Sequence, residues 1–318
     1  MLHGTMPLPR LLGRLFESGD AIAAALSLPH PESRWNRCYG SEGLREDEAR
    51  RAARFDGLQR PFVLRWSDGL AFRIVPREQI SRALYVSGTY EPNTLVVLRS
   101  LLREGDIFVD VGANVGVFSL VASRWVGPAG HVIAFEPSSR EFSRLGDTVA
   151  LNGLQNVQAV RMACGAEPGT ATLRVAVDTY AGLNTLGRGF AYDGIETAQL
   201  EAVSVTTLDA FVTCHGLDRI AVMKIDVEGA ERDVLLGARE VLARDRPALI
   251  VEVLAPALES TGTSVAELEA LLRRYEYRLH AIADDTAALT AVEHLEDHSG
   301  ENIVALPMER ASGAGRGT

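Results

Sequence analysis

Two carboxylates beside a glycine turn are the residues of this chain best suited to bind a ligand. A short apolar run, Ile107–Val111, contains Asp110 and breaks into the turn Gly112–Gly116, after which an apolar helix begins. The next apolar run, Val132–Phe135, ends on Glu136. In an open α/β sheet this places the acceptor-only carboxylate of Glu136 at the carboxyl edge, where ligands bind, and such a group suits a ribose diol.

The composition of the turn indicates which ligand that is. A dinucleotide site has the pattern Gly-x-Gly-x-x-Gly, but Asn114 stands where the second glycine would let the backbone approach a pyrophosphate. Asp110 would also repel a diphosphate, whereas it would attract an ammonium group. These residues favour S-adenosylmethionine, which carries an ammonium and a ribose and has no phosphate. The alternative is a turn that serves only tight packing.

A second block of charged residues lies within Ile220–Gly229. Because side chains alternate along a strand, Lys224 and Asp226 share one face, and burying either charge unpaired would be costly. We therefore expect them to pair or to face a site. Glu228 follows at the strand end, and Glu252 is a lone charge at the end of another apolar strand. These acids converge on one edge of the sheet, unless Asp226 and Glu228 simply cap the following helix.

The sequence offers little support for a metal site. His294 and His298 have the i, i+4 spacing of a metal pair on a helix, but their polar, Ser-Gly-containing surroundings indicate a loop. Cys38, Cys164 and Cys214 form no Cys-x-x-Cys pair, so neither a zinc site nor a disulfide framework is expected. We predict that no metal is bound.

Alternating helices and strands surround these residues, and this order predicts a parallel sheet covered by helices on both faces. Strands are expected near residues 107–111, 132–135, 157–162, 221–226, 248–253, 277–282 and 302–306. Helices are expected at residues 94–103, 117–125, 140–152 and 230–242.

We divide the chain into three parts. Residues 1–85 form an N-terminal extension, with helical spacing at 11–22 and a β-hairpin near 62–74 around Ser-Asp-Gly. Residues 86–307 form the ligand-binding domain. The remaining residues, 308–318, are mostly small and polar and are predicted to be a disordered tail.

The composition excludes several classes of partner. A formal net charge of −10 and the lack of any basic run argue against nucleic acid. No apolar stretch is long enough to span a bilayer, and acidic residues interrupt any signal-peptide core, so we expect a soluble, cytoplasmic protein without a membrane partner. Homo-oligomer formation is left open.

Several motifs together resemble the FkbM family of S-adenosylmethionine-dependent methyltransferases. The residues that carry the resemblance are Ser87–Pro92, Asp110–Gly116, Phe135–Pro137, Lys224–Gly229 with Glu231, Gly237 and Pro247, Glu252, and Glu301–Val304. The resemblance runs from about Phe62 to Leu306. It implies a class I methyltransferase fold, which is a Rossmann-like sheet of seven strands with the last one antiparallel, and usually O-methylation of a hydroxyl on a natural product or sugar.

The resemblance also implies roles for the residues of the glycine turn. The methionine end of the cofactor would be lined by Asp110, Gly112, Asn114 and Gly116. The ribose would be held by Glu136, and Glu91 would also touch the cofactor. The residues after the third strand include no Asp for the adenine, so an apolar or backbone-read adenine pocket is expected there.

For the methyl transfer itself, alignment of a small-molecule acceptor and removal of its proton are the main requirements. Asp226 is the first candidate for the base or orienting group, and Lys224 would set its charge state or contact the acceptor oxygen. Glu228 and Glu252 would position the acceptor. An N-methyltransferase acting on a small amine and a non-catalytic binding protein remain alternatives, whereas nothing supports a nicotinamide oxidoreductase.

Overall fold

A computed structural model describes residues 42–66, 69–284 and 286–311. The described chain forms two compact units. One contains the residues up to Ser100 together with 283–288, and the other contains Leu101–Ile282 and the residues from Leu289 onward. The division between an extension and a binding domain at residues 85 and 86 stays a prediction.

The first unit contains the predicted hairpin. Strands β1 (Phe62–Arg65) and β2 (Ala71–Ile74) pair antiparallel, with Phe62 opposite Ile74, so the hairpin is confirmed. Ser67 and Asp68 of its turn, and the predicted helix at 11–22, lie outside the described residues. The helices of this part of the chain are α1 (Glu42–Asp56), α2 (Gln79–Val86) and α3 (Pro92–Leu101), which ends at the boundary.

The second unit is built on a large sheet whose strands match the seven predicted ones. They are β3 (Ile107–Val111), β4 (His131–Phe135), β5 (Val157–Val160), β9 (Ile220–Ile225), β10 (Ala248–Val253), β11 (Tyr277–Ile282) and β13 (Glu301–Pro307), with β12 (Leu289–Ala291) added at one edge. Their spatial order is β12-β11-β13-β10-β9-β3-β4-β5. The last strand, β13, runs antiparallel to both of its neighbours, and the strands from β10 to β5 are parallel. The predicted fold class is confirmed.

Helices connect these strands. They are α4 (Val117–Val126), α5 (Ser139–Leu151), α6 (Leu208–His215), α7 (Glu231–Leu236), α8 (Arg239–Arg244), α9 (Ala255–Thr261), α10 (Val265–Arg274) and α11 (Met308–Ala311). Every residue of β3 and β9 is buried, as expected for central parallel strands covered on both faces. These two strands therefore hold the residues at their carboxyl ends in fixed positions.

The predicted helix at 230–242 is wrong in one respect, because it is broken into α7 and α8 at Gly237. A Cβ on Gly237 would stand 2.0 Å from the carbonyl oxygen of Gly165, so only glycine permits this approach. The carboxylate of Asp209 accepts hydrogen bonds from the backbone N–H groups of Glu240 and Val241, at 3.0 Å each. It thereby caps the start of a second helix, which the apolar periodicity alone did not reveal.

A second sheet was not predicted. Its strands are β6 (Ala163–Cys164), β7 (Gly169–Ala176) and β8 (Thr197–Thr206), in the order β6-β8-β7. Residues 177–196, which connect β7 to β8, are here called the bridging loop. The alternation of polar and apolar residues in 169–176 is the sequence signal that indicates the first long strand of this sheet.

The structure describes only the first residues of the segment that was predicted to be a disordered tail. Met308–Ala311 form a short helix, in which the carboxylate of Glu309 accepts two hydrogen bonds from Arg246, at 2.8 and 3.1 Å. Such a bidentate pair fixes the chain more firmly than a single contact would. Residues 312–318 lie outside the described residues. None of the described helices is long and apolar enough to cross a membrane.

Candidate active site

A cleft lies at the carboxyl edge of the central strands. Its lining includes residues from the glycine turn, the end of β4, the start of the second sheet, the bridging loop and the turn after β9. They are Val111, Gly112, Asn114, Phe135, Glu136, Pro137, Met162, Ala163, Cys164, Leu173, Gly182, Asn184, Leu186, Asp226, Val227, Glu228 and Ala230. The two blocks that the sequence singled out thus meet at one cleft.

Glycine is required at two positions of the turn. Gly112 has φ +87°, and a Cβ there would stand 1.8 Å from the carbonyl oxygen of Asp226. Gly116 has φ +89°, and its Cβ would stand 2.5 Å from a methyl carbon of Leu145. The first glycine lets two backbone segments touch, and the second lets α5 pack against the start of α4. Gly116 is not among the residues that line the cleft.

Asn114 adopts φ +51°, a left-handed conformation that asparagine tolerates better than most residues. Its backbone N–H donates to Oε2 of Glu136 at 2.9 Å, and its Nδ2 donates to the carbonyl oxygen of Ala181 at 3.0 Å. Its Oδ1 is buried and has no hydrogen-bond partner. A buried acceptor without a partner costs free energy, so a hydrogen-bond donor brought by a ligand would stabilise this atom.

Glu136 is buried at the edge of the cleft. Its two carboxylate oxygens accept hydrogen bonds from the backbone N–H groups of Asn114 and Ser138, both at 2.9 Å. Burial, followed by the negative charge of Glu141, raises the pKa of Glu136 to about 8. The hydrogen bonds fix the direction of the carboxylate, and its remaining lone pairs are available to a ligand.

Asp110 is buried at the end of β3, and its predicted contact with the methionine end of the cofactor stays a prediction. It is only 1% exposed, it accepts a hydrogen bond from Ser119 Oγ at 2.6 Å, and it does not line the cleft. Burial raises the pKa of Asp110, and the charge of Lys224, which stands opposite it in the β3–β9 register, opposes that rise. Asp110 therefore lies behind the glycine turn, where it balances the buried lysine.

Lys224 and Asp226 form the ion pair that was one of the two predicted outcomes. Lys224 is 2% exposed, and its Nζ lies 2.5 Å from Oδ2 of Asp226. The same Nζ lies 4.5 Å from the centre of the Phe118 ring, which is a favourable cation–π geometry. Asp226 reaches the cleft and Lys224 holds it from behind.

The carboxylates of Asp226, Glu228 and Glu252 form a cluster in which one oxygen of each lies within 4.8 Å of the others. Burial, together with the charges of Asp226 and Glu228, raises the pKa of Glu252 well above its ordinary value. One oxygen of Glu252 is buried without a hydrogen-bond partner. Oxygen atoms in this arrangement suit a cation or a hydrogen-bond donor.

The alternative that Asp226 and Glu228 cap the next helix is not supported. No side chain caps α7 at Ala230. Instead Oε1 of Glu231 accepts hydrogen bonds from the backbone N–H groups of Val227 and Gly229, both at 3.1 Å, and closes the turn. Burial raises the pKa of Glu231 to about 7.

Two other residues that the sequence singled out, Glu91 and His298, do not line the cleft. Glu91 belongs to the first compact unit, where it has φ +42° in the segment before α3, and its cofactor contact stays a prediction. His298 lies in a short 3₁₀ helix, and its Nδ1 is 3.0 Å from a carboxylate oxygen of Glu301. His298 therefore lies in contact with Glu301. The absence of a bound metal remains a prediction.

Sequence reasoning missed the contribution of the second sheet and the bridging loop. Met162, Cys164, Leu173 and Leu186 give the cleft an apolar wall, of the kind expected for the adenine pocket. Asn184 lines the cleft too. Glu141, which lies beneath it, is fully buried. Nothing in the local pattern of residues 177–196 indicated that this loop would reach the glycine turn.

Comparison with known proteins agrees with this geometry. The profile of the methyltransferase FkbM domain matches residues 110–279, which is more than half of the chain and includes the glycine turn and the acid cluster. The chain belongs to the FkbM methyltransferase family. The resemblance that the sequence motifs indicated is therefore confirmed.

Individual relatives are moderately similar to this chain. The chain is 31% identical to Methyltransferase 1 of Beauveria bassiana (strain ARSEF 2860) over 149 residues, which are 42% of this chain and 59% of that protein. It is also 31% identical to the 31-O-demethyl-FK506 methyltransferase FkbM of Streptomyces tacrolimicus over 216 residues, 61% of this chain and 81% of that protein. Among solved structures, the methyltransferase FkbM of Methylobacillus flagellatus KT matches 72% of this chain and 56% of that chain, with a TM-score of 0.41 and 17% identity. The chain thus spans less than two thirds of the Beauveria protein and of the Methylobacillus structure.

Proposed function

We propose that this protein is an S-adenosylmethionine-dependent methyltransferase that methylates a hydroxyl group of a small natural product or sugar. The observation that carries the proposal is the charge of the cleft. Its carboxyl side chains are those of Glu136, Asp226 and Glu228, and none of the described residues that line it is Lys or Arg. Such a lining disfavours a phosphate and favours a ligand that carries positive charge.

The cleft residues fit the cofactor group by group. The unpartnered Oδ1 of Asn114 would accept a hydrogen bond from the ammonium of the methionine moiety. Glu136 would accept hydrogen bonds from the ribose hydroxyls, and the apolar wall that includes Met162 and Leu186 would hold the adenine. When bound, the cofactor supplies a methyl group on a positively charged sulfur.

The acid cluster would bind the acceptor and assist the removal of its proton. Asp226, oriented by Lys224, would take the proton of the acceptor hydroxyl or hold that hydroxyl in line. Glu252, whose raised pKa favours its protonated form, would donate a hydrogen bond to the acceptor. Glu228, held beside Asp226, would position the rest of the acceptor.

Two observations bear on the choice between a hydroxyl and an amine. The Streptomyces relative is named for methylation of an oxygen atom, which favours a hydroxyl acceptor. The carboxylates of Asp226 and Glu228 in the acid cluster favour a cationic acceptor, so N-methylation of a small amine is the second candidate.

Calorimetry with S-adenosylhomocysteine, S-adenosylmethionine and NADH tests the cofactor assignment. We expect the two sulfur compounds to bind and NADH not to bind. Above pH 8, where Glu136 is ionised, Glu136→Ala should weaken S-adenosylhomocysteine binding roughly ten- to a hundredfold, since a charge-assisted hydrogen bond contributes about 1.5–3 kcal/mol. The matched control is Glu167→Ala, which removes an exposed glutamate outside the cleft and should leave the affinity unchanged.

Transfer of a labelled methyl group from S-adenosylmethionine to a panel of alcohols and amines then identifies the acceptor class. Labelling of alcohols alone would support the proposal, and labelling of amines alone would replace it with the second candidate. Cofactor binding without transfer to any member of the panel would instead favour a non-catalytic binding protein. Failure of the wild-type protein to bind either sulfur compound would refute the cofactor assignment itself.

A further inference from the structure

One buried carboxylate outside the predicted site connects two walls of the cleft. Glu141, in the first turn of α5, is completely buried. Its Oε2 accepts hydrogen bonds from Ser138 Oγ and from Asn184 Nδ2, the latter at 3.0 Å. Its Oε1 accepts a hydrogen bond from Arg140 Nε at 2.6 Å, so the buried charge is paired. Asn184 belongs to the bridging loop, and its Oδ1 also accepts from the backbone N–H of Ala176 at 2.9 Å.

Ser138 links Glu141 to the residue assigned to the ribose. Its hydroxyl donates to Glu141, while its backbone N–H donates to Oε1 of Glu136 at 2.9 Å. The other oxygen of Glu136 accepts from Asn114, whose side chain donates to the carbonyl of Ala181 in the bridging loop. The hydrogen bonds therefore form a closed ring that runs from the bridging loop through Glu141, Ser138, Glu136 and Asn114 and back to the loop.

We propose that Glu141 is a positioning residue for the cofactor cleft, since it holds Glu136 through Ser138 and the bridging loop through Asn184. The inference rests on the proposed function, because it concerns the same cofactor. Glu141 is a single buried, paired carboxylate that contacts both Ser138, at the start of α5, and Asn184, in the bridging loop. Such a group holds both segments in place, whereas two separate surface contacts would leave each segment free to move. Glu141 touches neither the cleft surface nor the acceptor residues in this arrangement.

The charges around Glu136 give this role a specific signature. The negative charges of Glu141 on α5 and of Asp110 on β3 both raise the pKa of Glu136. Arg140 on α5 neutralises part of the charge of Glu141 and also pairs with Asp178 of the bridging loop, at 2.9 Å. Removing the charge of Glu141 should therefore make Glu136 easier to ionise, and removing Arg140 should make it harder.

The test is the pH dependence of S-adenosylhomocysteine binding, measured by calorimetry across the range around 8 in which Glu136 titrates. If Glu136 binds the ribose as a carboxylate, affinity rises as it ionises, and the midpoint of that rise reports its pKa. Glu141→Gln should weaken binding at least about tenfold and move the midpoint down by about one pH unit. Arg140→Gln should move the midpoint in the opposite direction, and it keeps the proposal testable should Glu141→Gln fail to fold.

Two further variants separate positioning from a general loss of structure. Asn184→Ala breaks the contact with the bridging loop without changing any charge, so affinity should fall while the midpoint stays in place. Glu201→Gln is the matched control, because Glu201 also contacts the start of α5, through Ser139, but belongs to no part of the ring. Its affinity and midpoint should equal those of the wild type.

The outcomes are distinct from those of the cofactor test. A wild-type protein that does not bind S-adenosylhomocysteine contradicts the proposed function. A wild-type protein that binds it, together with a Glu141→Gln variant of unchanged affinity and midpoint, overturns the positioning role alone. Equal midpoint shifts in Glu141→Gln and Glu201→Gln would also overturn it, because the effect would then be one of general surface charge.

Discussion

The carbonyl oxygen of Asp226 lies so close to the α-carbon of Gly112 that a Cβ on residue 112 would stand 1.8 Å from it. The backbone N–H of Asp226 in turn donates to the carbonyl of Val111 at 3.0 Å. The glycine turn and the acidic turn after β9 therefore touch through their main chains. This contact sets the distance between the residues proposed to bind the cofactor and those proposed to bind the acceptor, and any side chain at position 112 would increase it.

Substitution of Gly112 should accordingly be severe. We expect Gly112→Ala to lower the free energy of unfolding by about 3 kcal/mol or more, because the new methyl group both clashes and is strained at φ +87°. Gly105→Ala is the matched control, since Gly105 has nearly the same φ, +86°, but has no atom within 4 Å of its Cβ position. It should cost only about 1–2 kcal/mol. Urea unfolding measures both, and equal losses would show that the contact with Asp226 contributes nothing.

Lys224 should be essential to the stability of the acid cluster. Lys224→Met leaves Asp226 without the cation at 2.5 Å, so we expect a loss of about 3 kcal/mol in the free energy of unfolding at neutral pH. The double variant Lys224→Met with Asp226→Asn should recover part of that loss, because Asp226 is then neutral and only Asp110 has lost the opposing charge of the lysine. A single variant as stable as the wild type in urea unfolding would argue against the buried ion pair.

The pKa values of two buried glutamates predict how stability depends on pH. Glu136 has a pKa of about 8 and Glu231 of about 7 in the folded protein, whereas both titrate near 4.5 when unfolded. Between these values the folded state holds protons that the unfolded state has lost, so stability falls as pH rises. Glu136→Gln cannot ionise, and its melting temperature should fall less steeply than that of the wild type between pH 4.5 and 8. Calorimetric scans showing parallel curves for the two proteins would contradict the raised pKa.

The acid cluster should not bind a divalent metal. Asp226, Glu228 and Glu252 present oxygens within 4.8 Å of one another, but the ammonium of Lys224 already lies 2.5 Å from Asp226. We therefore expect no Mg²⁺ binding tighter than about 1 mM in calorimetry, the weak end of natural oxygen-ligand sites. EDTA should leave S-adenosylhomocysteine affinity unchanged. Tight Mg²⁺ binding that Glu252→Gln abolishes would change the role of these acids to metal ligands.

Much of this architecture could be predicted because it depends on neighbouring residues in the chain. The apolar run of β3, its break into a glycine turn and the apolar start of α4 are set by periodicity and backbone freedom within about a dozen residues. Glu136, Asp226 and Glu252 were also recognisable, since a lone carboxylate at the end of an apolar strand stands out. Parallel strands then bring such ends to one edge of the sheet.

The remaining features depend on contacts between residues far apart in sequence. Residue 237 must be glycine because the carbonyl of Gly165 lies against it, and Asp110 stands opposite Lys224 because β3 lies beside β9. The apolar periodicity of residues 230–242 is compatible with one helix or two, so it could not reveal the break.

The sequence by itself determined the order of helices and strands, the glycine turn and the edge at which the acids gather, because each follows from local backbone preference and alternation. Only the tertiary structure decided that Asp110 supports the turn from behind, and that Asn184 and Glu141 join Glu136 in one ring. The physical reason is that a buried polar group must find its partner within about 3 Å. Which group comes that close is set by how the whole sheet and its loops pack.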